Sequence, residues 1–105
     1  MVTVIATIRS KAGKEKETER LLRGLLEPTH KEPGCKKYTL HRRQDQPGAF
    51  CFVESWATPA ALQTHLTSPH IQSAMARKDE LLESVDIAAV ESLQEGSSEK
   101  GIFKF

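Results

Sequence analysis

A chain of 105 residues and 11.7 kDa has the length of one domain. Its 38% hydrophobic and 28% charged residues suit a folded globule, and a net charge of +1 offers no field for nucleic acid or an anionic membrane. Apolar runs of only a few residues exclude a membrane-spanning helix, and the first residues lack the basic leader of a secretory signal, so the expected location is the cytoplasm.

Residues 2–9 read as a strand, with Val2, Val4, Ala6 and Ile8 on one face and Ile5 on the other. Lys11-Ala12-Gly13 is a turn. From Lys14 the apolar spacing becomes helical, with Leu21, Leu22, Leu25 and Leu26 in one stripe and Glu15 and Glu17 at the helix start. Pro28 is expected to end or kink this helix, and Pro33-Gly34 to stop any further turn. Residues 35–43 form a second strand with Tyr38 and Leu40 on one face. Residues 49–56 form the most apolar strand, with Phe50, Phe52, Glu54 and Trp56 on one side and Ala49, Cys51 and Val53 on the other. Pro47-Gly48 turns the chain between these two strands.

A turn centred near Gln46 pairs Cys51 with about Leu40 and Cys35 with about Trp56. The two cysteines are then offset by some ~17 Å along the strands, beyond disulfide reach, so free thiols are expected. Thr58-Pro59 and Ser68-Pro69 each place a capping hydroxyl before a proline at the first helical position. The helices they open carry Ala61, Leu62, His65 and Leu66, then Ile71, Ala74, Met75 and residues 78–82. Residues 84–93 read as the last strand. Residues 94–100 are a polar tail, and the apolar residues 101–105 are expected to dock on the body or on a partner subunit.

The order βαββαβ, with its second helix split, is the ferredoxin-like plan, an α+β fold whose antiparallel sheet has helices on one face. A chain this short leaves the other face bare, although the third strand is apolar on both sides. A two-fold homodimer packing sheet on sheet is the expected remedy. Residues 1–93 then form the domain and 94–105 the tail.

The stretch Phe50-Cys51-Phe52-Val53-Glu54-Ser55-Trp56, followed by Ala60-Ala61-Leu62, His65-Leu66 and Ser68-Pro69-His70, resembles the antibiotic biosynthesis monooxygenase domain. Thr3-Val4-Ile5-Ala6, Glu32-Pro33-Gly34-Cys35 and Tyr38 extend the resemblance, in order, across residues 2–93. It implies a dimeric α+β barrel with a pocket between sheet and helices in each protomer. It also implies quinol or polyketide monooxygenases working without metal, flavin or haem, alongside isomerases of small signalling molecules and haem-degrading enzymes. The haem branch implies an asparagine, a tryptophan and an axial histidine where this chain has Ala6, His65 and about Met75, so haem is the least favoured reading.

Cofactor-free oxygenation needs a base, donors for the substrate oxygens and apolar walls. His65, near the inward stripe, and His70, in the first turn of its helix, are the candidate bases; the bland alternative is a satisfied structural histidine for each. No third ligand is evident beside them and a helix break separates them, so no metal is expected. Tyr38, Phe52 and Trp56 are candidate substrate walls or donors, or plain core. Glu54 is either paired with an arginine such as Arg9 or Arg42 or raised in pKa by desolvation. The expected function is a cofactor-independent monooxygenase oxidising a small quinol, phenol or enolised polyketide-type substrate with O2. The alternatives are a small-molecule isomerase or degrading enzyme of the same fold, or a non-catalytic dimeric ligand-binding or stress-associated protein.

Overall fold

The computed structural model describes residues 1–101. The docking expected of the apolar end falls almost wholly on residues 102–105, outside the described part. Nine elements follow one another: β1 (Val2–Ser10), α1 (Glu15–Arg23), α2 (Leu26–His30), β2 (Cys35–Arg42), β3 (Ala49–Trp56), α3 (Pro59–Leu66), α4 (Pro69–Met75), α5 (Lys78–Leu81) and β4 (Leu82–Val90). The sheet order is β2-β3-β1-β4 with every neighbouring pair antiparallel, the ferredoxin-like α+β arrangement. Among the described residues no helix is long and apolar enough to cross a membrane.

Alternation along β1 and β3 sends Val4, Ala6, Ile8, Phe50, Phe52 and Trp56 to the face covered by Leu22, Leu25, Ala74 and Leu81 of the helical layer. The opposite face holds the row Thr39, Val53, Ile5 and Ala88 across all four strands. Ile5 keeps 38% and Val90 40% of their surface, and Cys51 and Val53 are half-buried. The expectation that β3 is buried on both sides therefore holds for its inner face only, since among the described residues no second layer covers the outer one.

The first helix breaks earlier than Pro28. Helical bonding lapses at Gly24–Leu25 and resumes as α2, with Pro28 inside its first turn. A proline ring clashes with the carbonyl four residues back, here that of Gly24, and the first turn is where a missing N–H costs least. The β2–β3 hairpin pairs Cys51 with His41 rather than Leu40, while Cys35 does face Trp56 past an irregularity at Cys35/Lys37; both thiols are free. β2 stops at Arg42, one residue short of the expected end. β4 starts at Leu82, directly after α5, and ends at Val90 instead of residue 93. Val90 already faces Thr3, so β1 has almost no backbone left to pair with anything beyond it. α5 is separated from α4 by Ala76–Arg77, where the expectation had one continuous helix.

Candidate active site

Between the inner face of the sheet and the helices lies a cavity of about 210 Å³. Its apolar walls come from β1 (Ala6, Ile8), α1 (Leu22), the junction of α1 and α2 (Leu25), β3 (Phe52), α4 (Ile71, Met75) and β4 (Val85, Ile87). The polar groups on its lining are Tyr38, Glu54 and His65. Each is delivered by a regular element. Tyr38 and Glu54 face each other across β2 and β3, and His65 sits in the last turn of α3.

α3 and α4 each begin at a side-chain cap. Thr58 Oγ1 accepts from the Ala61 N–H at 3.1 Å and Ser68 Oγ from the Ile71 N–H at 3.4 Å, each before a proline at the helix start. Ser68 also donates its hydroxyl to the His65 carbonyl at 2.6 Å, which pins the backbone carrying the imidazole. The His65 ring lies 4.4 Å from the Trp56 ring and 5.3 Å from that of Tyr38. Tyr38 in turn stacks on Phe52, centroids 4.6 Å apart.

His65 is 2% exposed. Its Nδ1–H donates to Glu32 Oε2 at 2.7 Å. That bond leaves Nε2 with its lone pair, and among the described residues Nε2 has no hydrogen-bond partner. Burial holds the imidazole below its ordinary pKa, while the Glu32 contact opposes that shift. His70 donates through Nε2 to the same Glu32 oxygen at 2.8 Å, and Ser68 Oγ lies 3.2 Å from that nitrogen. His70 does not line the cavity; it borders an outer concavity with Arg20, Leu21 and Arg77. The two candidate histidines thus meet through one carboxylate, and only His65 reaches the cavity.

Trp56 is fully buried behind His65 and is not a wall. Its indole N–H donates to Glu54 Oε1 at 2.8 Å. Of the two states expected for Glu54, the desolvated one is observed. Arg42 is held by Glu19, and burial pushes Glu54 up to about 7, with the Trp56 bond opposing and the Glu32 charge adding to the rise. Burial likewise raises the Tyr38 phenol far above its ordinary value, leaving it a neutral hydrogen-bond donor.

Glu32 is the residue the sequence did not single out as a site residue. It lies in the turn after α2, where its N–H bonds to the Thr29 carbonyl and its carbonyl accepts from Cys35, so the chain direction there is locked. Sequence reading found two histidines and no third donor; the fold supplies one from 33 and 38 residues away. Glu32, His65 and His70 together present a carboxylate and two imidazoles, a donor set suited to a transition metal.

Comparison with known proteins identifies the family. The sequence profile of the antibiotic biosynthesis monooxygenase family matches residues 1–77, which include Glu32, Tyr38, Glu54, His65 and His70. PA3566 of Pseudomonas aeruginosa has a crystal structure that superposes with a TM-score of 0.84 at 34% identity, covering 88% of this chain and 93% of that one. Rv0793 of Mycobacterium tuberculosis, which carries a provisional monooxygenase name, is 31% identical over 98 residues, 92% of this chain and 96% of its own. Its structure superposes with a TM-score of 0.81. The uncharacterized protein sll1783 of Synechocystis is 30% identical over 81 residues, 77% of this chain; the match spans about half of that longer relative, 55%. With most of its length inside the matched region, the chain belongs to the antibiotic biosynthesis monooxygenase family.

Proposed function

We propose that this protein is a cofactor-independent monooxygenase acting on a small quinol, phenol or enolised polyketide-type substrate held in the cavity. The observation that carries this reading is His65, which lines the cavity beside Tyr38 and Glu54 with Nδ1 occupied by Glu32 and Nε2 unengaged among the described residues. A neutral imidazole oriented by a carboxylate is a positioned general base.

The substrate gives a proton to His65 Nε2, and Glu32 stabilises the imidazolium. Tyr38 donates its hydroxyl to the substrate oxygen on which charge develops. The electron-rich carbon forms a bond to O2, the peroxide takes the proton held on His65, and His65 then removes the remaining proton of that carbon as the O–O bond breaks and a carbonyl forms. One oxygen atom stays in the product and the other leaves as water. Glu54, neutral at moderate pH, protonates the departing oxygen. The apolar walls exclude the bulk water that quenches the anion. No prosthetic group is required by these steps. Trp56 and His70 act as positioning residues, one behind the His65 ring and one on the far side of Glu32. We further propose that the protein works as a homodimer, with the uncovered sheet face as its seam.

Oxygen uptake by chelator-treated protein with a panel of hydroquinones and anthrone-type phenols tests the proposal. Uptake is expected, and His65→Ala should lower turnover by about a hundredfold. Absence of uptake for substrates that demonstrably bind would overturn the oxygenase reading. The pairing of Glu54 with His65 on one cavity favours an isomerase as the second reading. Anaerobic exchange of substrate C–H for deuterium, without oxygen uptake, would then be seen.

A further inference from the structure

The Glu32 cluster contains more than the orientation of a base requires. Orienting His65 takes one acceptor oxygen. Here Glu32 Oε2 receives two ring N–H groups, from α3 and from α4, and its other oxygen, Oε1, is buried with no hydrogen-bond partner among the described residues. A buried carboxylate oxygen left without a donor is unfavourable. The three ligand-capable atoms, Glu32 Oε2, His65 Nδ1 and His70 Nε2, lie within 4.8 Å of one another. The side chains are 12%, 3% and 19% exposed, so the cluster is sheltered yet open on the His70 side. Nitrogen-rich donors of this kind suit zinc and its first-row neighbours, whereas magnesium and calcium prefer all-oxygen sites.

We propose that Glu32, His65 and His70 form a binding site for one divalent transition-metal ion, which replaces the two hydrogen bonds and engages the carboxylate whose second oxygen is otherwise unpartnered. Binding moves no net proton. The His65 proton leaves Nδ1 for Nε2, the His70 proton leaves Nε2 for Nδ1, and both rings stay neutral. The consequence at the cavity is a change of role: His65 then presents an N–H where it had a lone pair. Metal binding therefore switches off proton removal. That consequence rests on the function proposed above; the metal site itself does not.

The test uses the full chain, stripped with chelator. Titration with Zn2+ by calorimetry, and with Co2+ by its visible absorption, should give one site per chain. Affinity should fall at least about tenfold in Glu32→Gln and in His70→Ala, and stay unchanged in His41→Ala. Should those variants fail to fold, nitrogen NMR of the wild-type imidazoles decides instead: Zn2+ should shift His65 Nδ1 and His70 Nε2 and spare His30 and His41. No binding, shifts at His30 or His41 instead, or equal affinity in the cluster variants would overturn the site. In the oxygen-uptake assay one equivalent of Zn2+ should suppress turnover, and chelator should restore it. Binding at the cluster with unaltered turnover would overturn the switch and the assignment of His65 as base, while the metal site would stand.

Discussion

Burial of Glu54 has a cost that appears only when its carboxyl ionises. The residue is 4% exposed, no cation pairs with it among the described residues, and burial raises its pKa from 4.5 to about 7. The groups facing it are the Trp56 indole N–H, the Tyr38 phenol across the strand, His65 on the same cavity and the more distant Glu32 charge. Because the folded state holds this proton more tightly than the unfolded chain, the contribution to stability is complete below about pH 4.5 and is lost as pH rises through about 7. A rise of some two and a half pKa units corresponds to about 3 kcal/mol. Glu54→Gln should abolish this dependence. The stability of the variant relative to wild type should improve by about 3 kcal/mol between pH 4 and pH 8.5, read from urea midpoints. A constant difference across that range would show that Glu54 is not desolvated. The same substitution leaves a hydrogen-bond acceptor for Trp56 but no acid, so turnover should fall about tenfold or more.

At the scale of the element, the site depends on how closely the turn before β2 approaches α3. A Cβ on Gly34 would stand 2.3 Å from the Cβ of Ala61, closer than side chains pack, and Gly34 also accepts the Ala57 N–H through its carbonyl. Gly34→Ala should therefore destabilise the fold by about 1–3 kcal/mol, and Gly34→Ala with Ala61→Gly should recover more than half of that loss. If the double variant recovers nothing, the contact is not the cause. The caps separate structure from function. Thr58→Ala and Ser68→Ala should each cost about 1 kcal/mol in denaturant unfolding. Ser68→Ala should also reduce turnover severalfold, because Ser68 alone of the two bonds to the His65 carbonyl. These elements were largely legible in the sequence: both capped prolines, the period-two apolar strands and the turn at Pro47-Gly48 read directly from local chemistry. The errors were local as well, such as a helix break placed at Pro28 rather than four residues earlier, where its ring makes itself felt. The site was half legible. His65 and Tyr38 follow from apolar spacing, but Glu32 looks like any acid ahead of a proline-glycine turn. Only tertiary folding brings it to two imidazoles more than thirty residues away.

The whole molecule is a slab of 44 × 32 × 19 Å, with a radius of gyration of 14.5 Å where a compact chain of this length has about 13 Å. Nineteen ångströms is the thickness of one helix layer on one sheet. Among the described residues no second layer covers the outer side of the sheet, where the apolar row of Val53, Ile5 and Ala88 lies with Val90 and Cys51 beside it. Among the described residues the apolar side chains of the core lie on the inner face, and a second copy of the chain is the cover proposed for the outer one. Ile5, in a central strand of the four, lies at the middle of this face, and its side chain should be covered at the seam. Sedimentation at micromolar concentration should show a dimer. Ile5→Lys should convert it to monomer and lower its thermal midpoint, because the change buries an unpaired ammonium at the seam but merely exposes it on a lone chain. The cavity opens on the inner face, opposite the seam, so a folded Ile5→Lys monomer should still bind a quinol-type ligand. A wild-type protein that sediments as a stable monomer would overturn the pairing of sheet on sheet. An Ile5→Lys variant that remains dimeric would move the seam elsewhere on the molecule.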